Sequence, residues 1–217
     1  MKTDILEFSF GIFDVNGTLI DNRVLYRKAI ALVVKLGWGV EGRTDLYLPT
    51  GGIPLPPVAY QLQQSRGLTW LALKADRSLM KICGLLDRKE LRLFEGTQDV
   101  LEELYRKEIK LFASTGTDTP TIKKHLEKLN VLRFFTMILG SDKTPESKHF
   151  HYFAKHLNLP FKEFTRKTFL VSDGPADLNH ASKSGIYSIG ITNTLNAELL
   201  RRAGARETIS DLRELLQ

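Results

Sequence analysis

The chain has 217 residues, with 31 Lys+Arg against 25 Asp+Glu for a formal charge of +6, and 42% of it is hydrophobic. That length suits one domain, or one domain carrying an insertion, and the apolar content excludes intrinsic disorder. The single cysteine, Cys83, excludes an internal disulfide and a zinc cluster built from cysteines, and reads as a small buried apolar side chain.

In chain order, the opening decapeptide MKTDILEFSF carries acids at Asp4 and Glu7 and does not suit a secretory signal. A strand is predicted over 8–15, a short apolar and aromatic run. It leads into Phe13-Asp14-Val15-Asn16-Gly17-Thr18-Leu19-Ile20-Asp21. Taken alone, Asn16-Gly17 is also a hairpin signal, because both residues tolerate the positive φ of a tight turn. Residues 22–93 then change texture. Apolar helical stretches at 29–36, 68–73 and 79–86 come without a strand signal, and the run 49–57, PTGGIPLPP, reads as a loop or stiff connector between helices. This part reads as a helical insertion. It holds 12 Lys+Arg and 5 Asp+Glu, a charge of +7, which leaves −1 on the rest of the chain. Its longest uncharged apolar run, 29–34, is far short of the roughly 20 residues that span a bilayer. A soluble, cytoplasmic protein with no membrane partner is expected.

From 94 onward, predicted strands at 109–115, 135–139, 168–172 and 187–191 alternate with helical repeats. Val100, Leu101, Leu104 and Tyr105 make one apolar stripe, Ile122, Leu126 and Leu129 another, and Phe150, Phe153, Ala154 and Leu157 a third. Such alternation argues for an α/β domain with a parallel, doubly wound sheet. Thr97 and Thr119 are the expected helix caps, with Pro120 in the first turn, and Gly185 and Gly204 mark helix ends.

Three later sites have chemical potential. The strand 109–115 ends in Ser114-Thr115-Gly116, placing a hydroxyl and a glycine amide at the carboxyl edge, where open α/β sheets bind ligands. Lys148 opens a helix after the polar loop 140–147, against the preference of the helix dipole, although alone it also reads as a solvated lysine. Phe169-Leu-Val-Ser-Asp173-Gly-Pro-Ala-Asp177 presents two carboxylates, hard oxygen ligands that suit Mg²⁺, while an Asx turn would explain Asp173 alone. His149 and His151, two apart on a helix, point about 200° from each other and make a poor metal pair. His180 is expected at the surface, and Asp21 is expected to fix the loop that leads into the insertion.

In this order and spacing the residues resemble the haloacid dehalogenase-like hydrolase superfamily, and specifically its phosphatases of the phosphoglycolate phosphatase type. Its first motif, DxDGTxxD, is matched by Asp14 to Asp21, its second by Thr115, its third by Lys148 and its fourth, DxxxD, by Asp173 and Asp177. The resemblance covers 8–21 and about 94–217, and the closing segment from Ala203 also looks like that family's C-terminus. It implies a Rossmann-like core of 1–21 and 94–217, with 22–93 as a helical cap inserted between the first and second motifs. It also implies roles. Asp14 would be the nucleophile that forms an aspartyl-phosphate. Mg²⁺ would be held by Asp14, the carbonyl of Asn16, Asp173 and Asp177. Gly17, Thr18, Thr115, Gly116 and Lys148 would contact the phosphate.

One departure matters. The phosphatases have an Asp two residues after the nucleophile, to protonate the leaving group and activate water, and this chain has Asn16. A carboxamide cannot give up or take on a proton usefully near neutral pH, so that general acid and base is lost unless another group supplies it. Three readings follow: a phosphatase slowed by Asn16, a binding or regulatory protein that keeps the pocket, or other chemistry on the same core, such as dehalogenation or carbon–phosphorus cleavage. The phosphatase acting on a small phosphorylated metabolite is preferred. The charge of the insertion points to a substrate with a further anionic group. Its dispersed basic residues carry no nucleic-acid reader motif, so no nucleic-acid partner is expected, and the protein is expected to be a monomer or homodimer.

Overall fold

In a computed structural model, the described residues are 4–21, 48–50, 53–55, 91–142 and 148–217. The helical stretches expected at 29–36, 68–73 and 79–86, Cys83, and most of the loop before Lys148 lie outside them. The chain divides into two compact units, Met1–Asp21 with Arg92–Gln217, and Asn22–Leu91. No described helix is long and apolar enough to cross a membrane.

The first unit is built on β1 (Phe10–Asp14), β4 (Lys110–Ser114), β5 (Phe135–Leu139), β6 (Thr168–Ser172), β7 (Tyr187–Ile191) and β8 (Glu207–Ile209). They form one six-stranded sheet of order β5-β4-β1-β6-β7-β8, parallel at every pairing. Its helices are α1 (Thr97–Arg106), α2 (Thr119–Lys128), α3 (His149–His156), α4 (Phe161–Arg166), α5 (Pro175–Ser184) and α6 (Ala197–Arg202). The chain runs outward from β1 through β4 to β5, then crosses back to β6 on the other side of β1. That reversal makes a crevice at the carboxyl ends of β4, β1 and β6.

The sheet is buried because its strands are apolar on both faces. Phe10 and Ile12 of β1 share a cluster with Phe112, Leu139, Phe153, Phe164 and Leu170, while Phe13, one residue out of phase, meets Phe169 edge-on at 5.8 Å. Phe112 lies 4.7 Å from Phe153 between ring centroids and 6.1 Å from Phe164, so α3 and α4 are fastened to the sheet by aromatic contacts. Each such ring fully buried contributes about 1.5–3 kcal/mol.

Several local expectations are corrected. The proline-rich stretch is not all loop: β2 (Leu48–Thr50) and β3 (Ile53–Leu55) pair antiparallel, with Pro49 opposite Pro54. Proline is tolerated there because a two-stranded ribbon is all edge and each proline can leave its missing N–H on the outer side. The caps also differ. Gly96 precedes α1 without a side-chain cap, and Asp118, not Thr119, caps α2, accepting a hydrogen bond from the Thr121 N–H at 2.9 Å. Thr119 instead accepts one from the Gly140 N–H at 3.0 Å. Tyr105, expected in the α1 stripe, is exposed and lies edge-on to Phe134. The edge strand β8 carried no recognised signal.

Candidate active site

The crevice is furnished first by the turn that follows β1. After Asp14 the chain folds on itself: the N–H groups of Leu19 and Ile20 both donate to the Val15 carbonyl at 2.9 Å, and the Gly17 N–H donates to Ile20 at 3.0 Å. This is not a hairpin, since Asn16 keeps a negative φ and no antiparallel strand returns along β1. Gly17 has φ +85°, and a Cβ there would lie 2.3 Å from Asp173 Oδ2, so only glycine lets the turn pass against that carboxylate. Beyond the turn, Asp21 accepts hydrogen bonds from Arg92 Nε at 3.2 Å and Nη2 at 2.9 Å, and Ile20 bridges to Leu93. These contacts join the two chain segments that flank residues 22–91.

Asp14 and Asp173 come together at the ends of β1 and β6. The Thr18 hydroxyl oxygen lies 3.0 Å from Asp14 Oδ2 and 3.1 Å from Asp173 Oδ1, and accepts the Asp173 N–H at 3.1 Å. Thr18 is fully buried, so its hydroxyl serves these carboxylates. Asp177, in the first turn of α5, accepts a hydrogen bond from Ser172 Oγ at 2.9 Å, and the same oxygen accepts the Gly174 N–H at 2.9 Å.

Three acids so crowded are electrostatically uncomfortable. Burial, with repulsion from Asp173 and Asp177 in addition, pushes the Asp14 carboxyl well above the usual range. Burial also raises Asp173, against hydrogen bonds from Thr194 and Thr18 that favour its charged form. Asp177 is pushed up to about 6 by burial first, with the Ser172 hydroxyl opposing. A hard divalent cation is the natural complement of this donor set. Among the described residues no three His, Cys, Asp or Glu side chains converge as a complete metal cage. An ion here would therefore take part of its shell from backbone, water or substrate oxygens, which is how Mg²⁺ is commonly bound.

On the other side of β1, the loop after β4 holds Asn16. Its Nδ2 donates to Thr117 Oγ1 at 2.8 Å and lies 3.5 Å from Thr115 Oγ1, which also accepts the Thr117 N–H at 3.2 Å. Thr115 is buried and Gly116 exposed beside it. Gly140 packs against this loop so closely that a Cβ would lie 2.3 Å from the Thr117 carbonyl oxygen. Lys148 stands exposed immediately before α3, and no ion pair links it to Asp14, Asp173 or Asp177.

The sequence profile of the haloacid dehalogenase-like hydrolases matches residues 11–191. The chain belongs to this family. The hydrolase is 25% identical over 226 residues to a phosphorylated carbohydrates phosphatase from Thermotoga maritima, covering 94% of this chain and 98% of that one. It is 24% identical over 209 residues, 95% of this chain and 92% of the other, to a Caldanaerobacter subterraneus protein provisionally named a pyrophosphatase. Its fold matches a haloacid dehalogenase-like hydrolase from Streptococcus pneumoniae with a TM-score of 0.73, at 22% identity and 97% coverage of both chains.

Two residues of this hydrolase escaped sequence reasoning. The loop after β7 sends Thr194 Oγ1 to Asp173 Oδ2 at 2.6 Å and Asn193 Nδ2 to the Gly17 carbonyl at 2.8 Å. A polar loop gives no periodic signal, but its place at the carboxyl end of a parallel strand was readable. One histidine departs from expectation: His180 is half-buried and stacked on Phe150 at 4.6 Å, whereas His149 is fully buried and His151 exposed, pointing apart as their spacing requires.

Proposed function

We propose that this hydrolase is a Mg²⁺-dependent phosphatase of a small phosphorylated metabolite, working through an aspartyl-phosphate on Asp14 and slowed by Asn16. The observation that carries the reading is the placement of Asp14 at the carboxyl end of a central strand, with Asp173 reached through one Thr18 hydroxyl. Support also comes from the two relatives, whose names give phosphorylated carbohydrates and pyrophosphate as substrates.

In this mechanism an Asp14 carboxylate oxygen attacks phosphorus and the ester P–O bond breaks, leaving the alcohol oxygen to take its proton from water. Water then attacks the acyl phosphate at phosphorus, releasing inorganic phosphate and restoring the Asp14 carboxylate. Splitting the displacement this way replaces one hard step with two easier ones. Bound Mg²⁺ would supply charge neutralisation of the phosphoryl oxygens. Asp14, the Asn16 carbonyl and Asp173 would hold it, with Asp177 in support. Thr115 and the Gly116 amide would hydrogen-bond the phosphoryl oxygens, the Gly17 and Thr18 turn would bound them, and Lys148 would balance the charge. Residues 22–93 would serve as the cap that excludes water and selects the substrate.

Asn16, which stands where the resemblance puts the proton donor, donates to Thr117 Oγ1 and lies beside Thr115 Oγ1. The same anchoring favours a second reading, a pocket that binds phosphate without turning it over. Both threonine hydroxyls can donate as well as accept, so a carboxylate fits the same place. Asn16→Asp is therefore expected to fold and to raise turnover by about 10²–10⁴-fold, the usual contribution of general acid–base catalysis. The test is phosphate release from a panel of phosphate esters and acyl phosphates with Mg²⁺, on both chains. A burst of protein-bound phosphate in the unaltered chain supports the phosphatase. Absence of turnover in both, with ligand retained, selects the binding reading.

A further inference from the structure

Thr115 and Lys148, the two side chains proposed to meet the phosphate, lie on different elements, and each is flanked by a residue with no part in the chemistry above. Ser114, the last residue of β4, precedes Thr115 and is the register partner of Asp14 across the sheet. His149, the first residue of α3, follows Lys148. Ser114 Oγ and His149 Nδ1 are 2.8 Å apart, and the two residues are 6% and 0% exposed.

We propose that this buried pair positions the phosphate clamp, fixing the start of α3, and with it Lys148, relative to Thr115. The proposal rests on the phosphatase reading of Lys148. Helix α3 starts poorly by itself. Lys148 occupies its N-cap without a side-chain cap bond, and a cation there opposes the helix dipole. Phe150, Phe153 and Ala154 hold the helix to the sheet by apolar contact, which is non-directional and sets no fine register. A hydrogen bond between buried partners is directional, and either group left alone in that environment would be penalised. His149 to Ser114 therefore supplies the registration that the apolar face lacks. It does so one residue from each proposed phosphate ligand and beside the strand end that bears Asp14. His149 is a positioning residue here, acting through Lys148.

The test is the affinity for inorganic phosphate with Mg²⁺, measured by calorimetry, together with thermal unfolding. His149→Phe and Ser114→Ala are each expected to weaken phosphate binding roughly threefold to tenfold, the scale of one hydrogen bond. Their combination is expected to be no worse than either alone. His149→Asn, which can keep a polar atom near the position of Nδ1, is expected to restore most of the loss. The readout that a purely structural contact would not move is coupling to the lysine. Lys148→Ala should cost less than half as much, in fold-change, when His149→Phe or Ser114→Ala is already present. Should His149→Phe fail to fold, Ser114→Ala completes the same cycle. A Lys148→Ala loss of equal size with and without the pair overturns the proposal alone, as does a fall in melting temperature with affinity unchanged. No effect of Lys148→Ala in the unaltered chain overturns the phosphate role of Lys148 and the proposal with it.

Discussion

Thr194 shows how a residue outside the family motifs can govern the acidic site. Its hydroxyl lies 2.6 Å from Asp173 Oδ2, while Thr18 attends Oδ1, so both carboxylate oxygens are oriented by hydroxyl hydrogen bonds. These bonds favour the charged form of Asp173 against the burial that disfavours it. Thr194→Val keeps the shape and removes one of them. It is expected to weaken Mg²⁺ binding by about 10–100-fold, as losses of partners behind metal ligands do, and to leave turnover at saturating Mg²⁺ nearly intact. A Mg²⁺ titration followed by phosphate release or thermal shift checks this, and an unchanged midpoint rejects the role. The carboxylates themselves were legible in the sequence because Asp14 and Asp173 close apolar strands, where a buried charge is costly without a purpose, and Asp177 follows Asp173 by four residues at the next helix start. Thr194 and Asn193 were not, since a hydroxyl and an amide in a loop have many ordinary uses. The path of the chain through the sheet is what brings them to Asp173 and Gly17.

The elements divide in the same physical way. The central strands β1, β4 and β6 were readable because burial on both faces demands continuous apolar runs. The edge strand β8 has three residues, Glu207, Thr208 and Ile209, too few for any pattern to emerge. At helix starts the composition was informative but the exact cap was not. Thr119 and Asp118 are both competent, and the choice is made by Gly140, whose N–H occupies the Thr119 hydroxyl. Asp118 is left to cap α2, with Pro120 in the first turn. Asp118→Ala is therefore expected to cost about 1 kcal/mol, within a range of about 0.5–2. In a protein of this size that lowers the melting temperature by roughly 2–4 °C. Calorimetric unfolding measures it, and a neutral result would mean that another acceptor reaches the Thr121 N–H.

At the scale of the whole molecule, the basic charge has an address. Residues 22–93 carry +7 and the remainder −1, so the net +6 belongs to the insertion, while the acids of the core face a proposed cation. Positive charge near a route to an active site raises the encounter rate of anionic ligands, by up to about 10–10³-fold in strong fields, and salt removes the advantage. Between about 10 mM and 150 mM ionic strength the Debye length falls from about 30 to about 8 Å, from spanning much of a small domain to spanning a side chain. If the insertion guides substrate, kcat/KM for a phosphorylated carboxylic acid should fall several-fold over that interval. A phosphate ester with a neutral body should fall less, because it presents less charge to the same field. The comparison is internal, since both substrates meet the same Mg²⁺ and the same Asp14, and general salt effects on the chemistry cancel in the ratio. Measured on the Asn16→Asp chain, where turnover is expected to be fast enough to follow, a ratio that declines with salt assigns the preference to the basic insertion. A ratio that stays constant would leave that charge as ordinary solvated surface and return substrate choice to shape and hydrogen bonding.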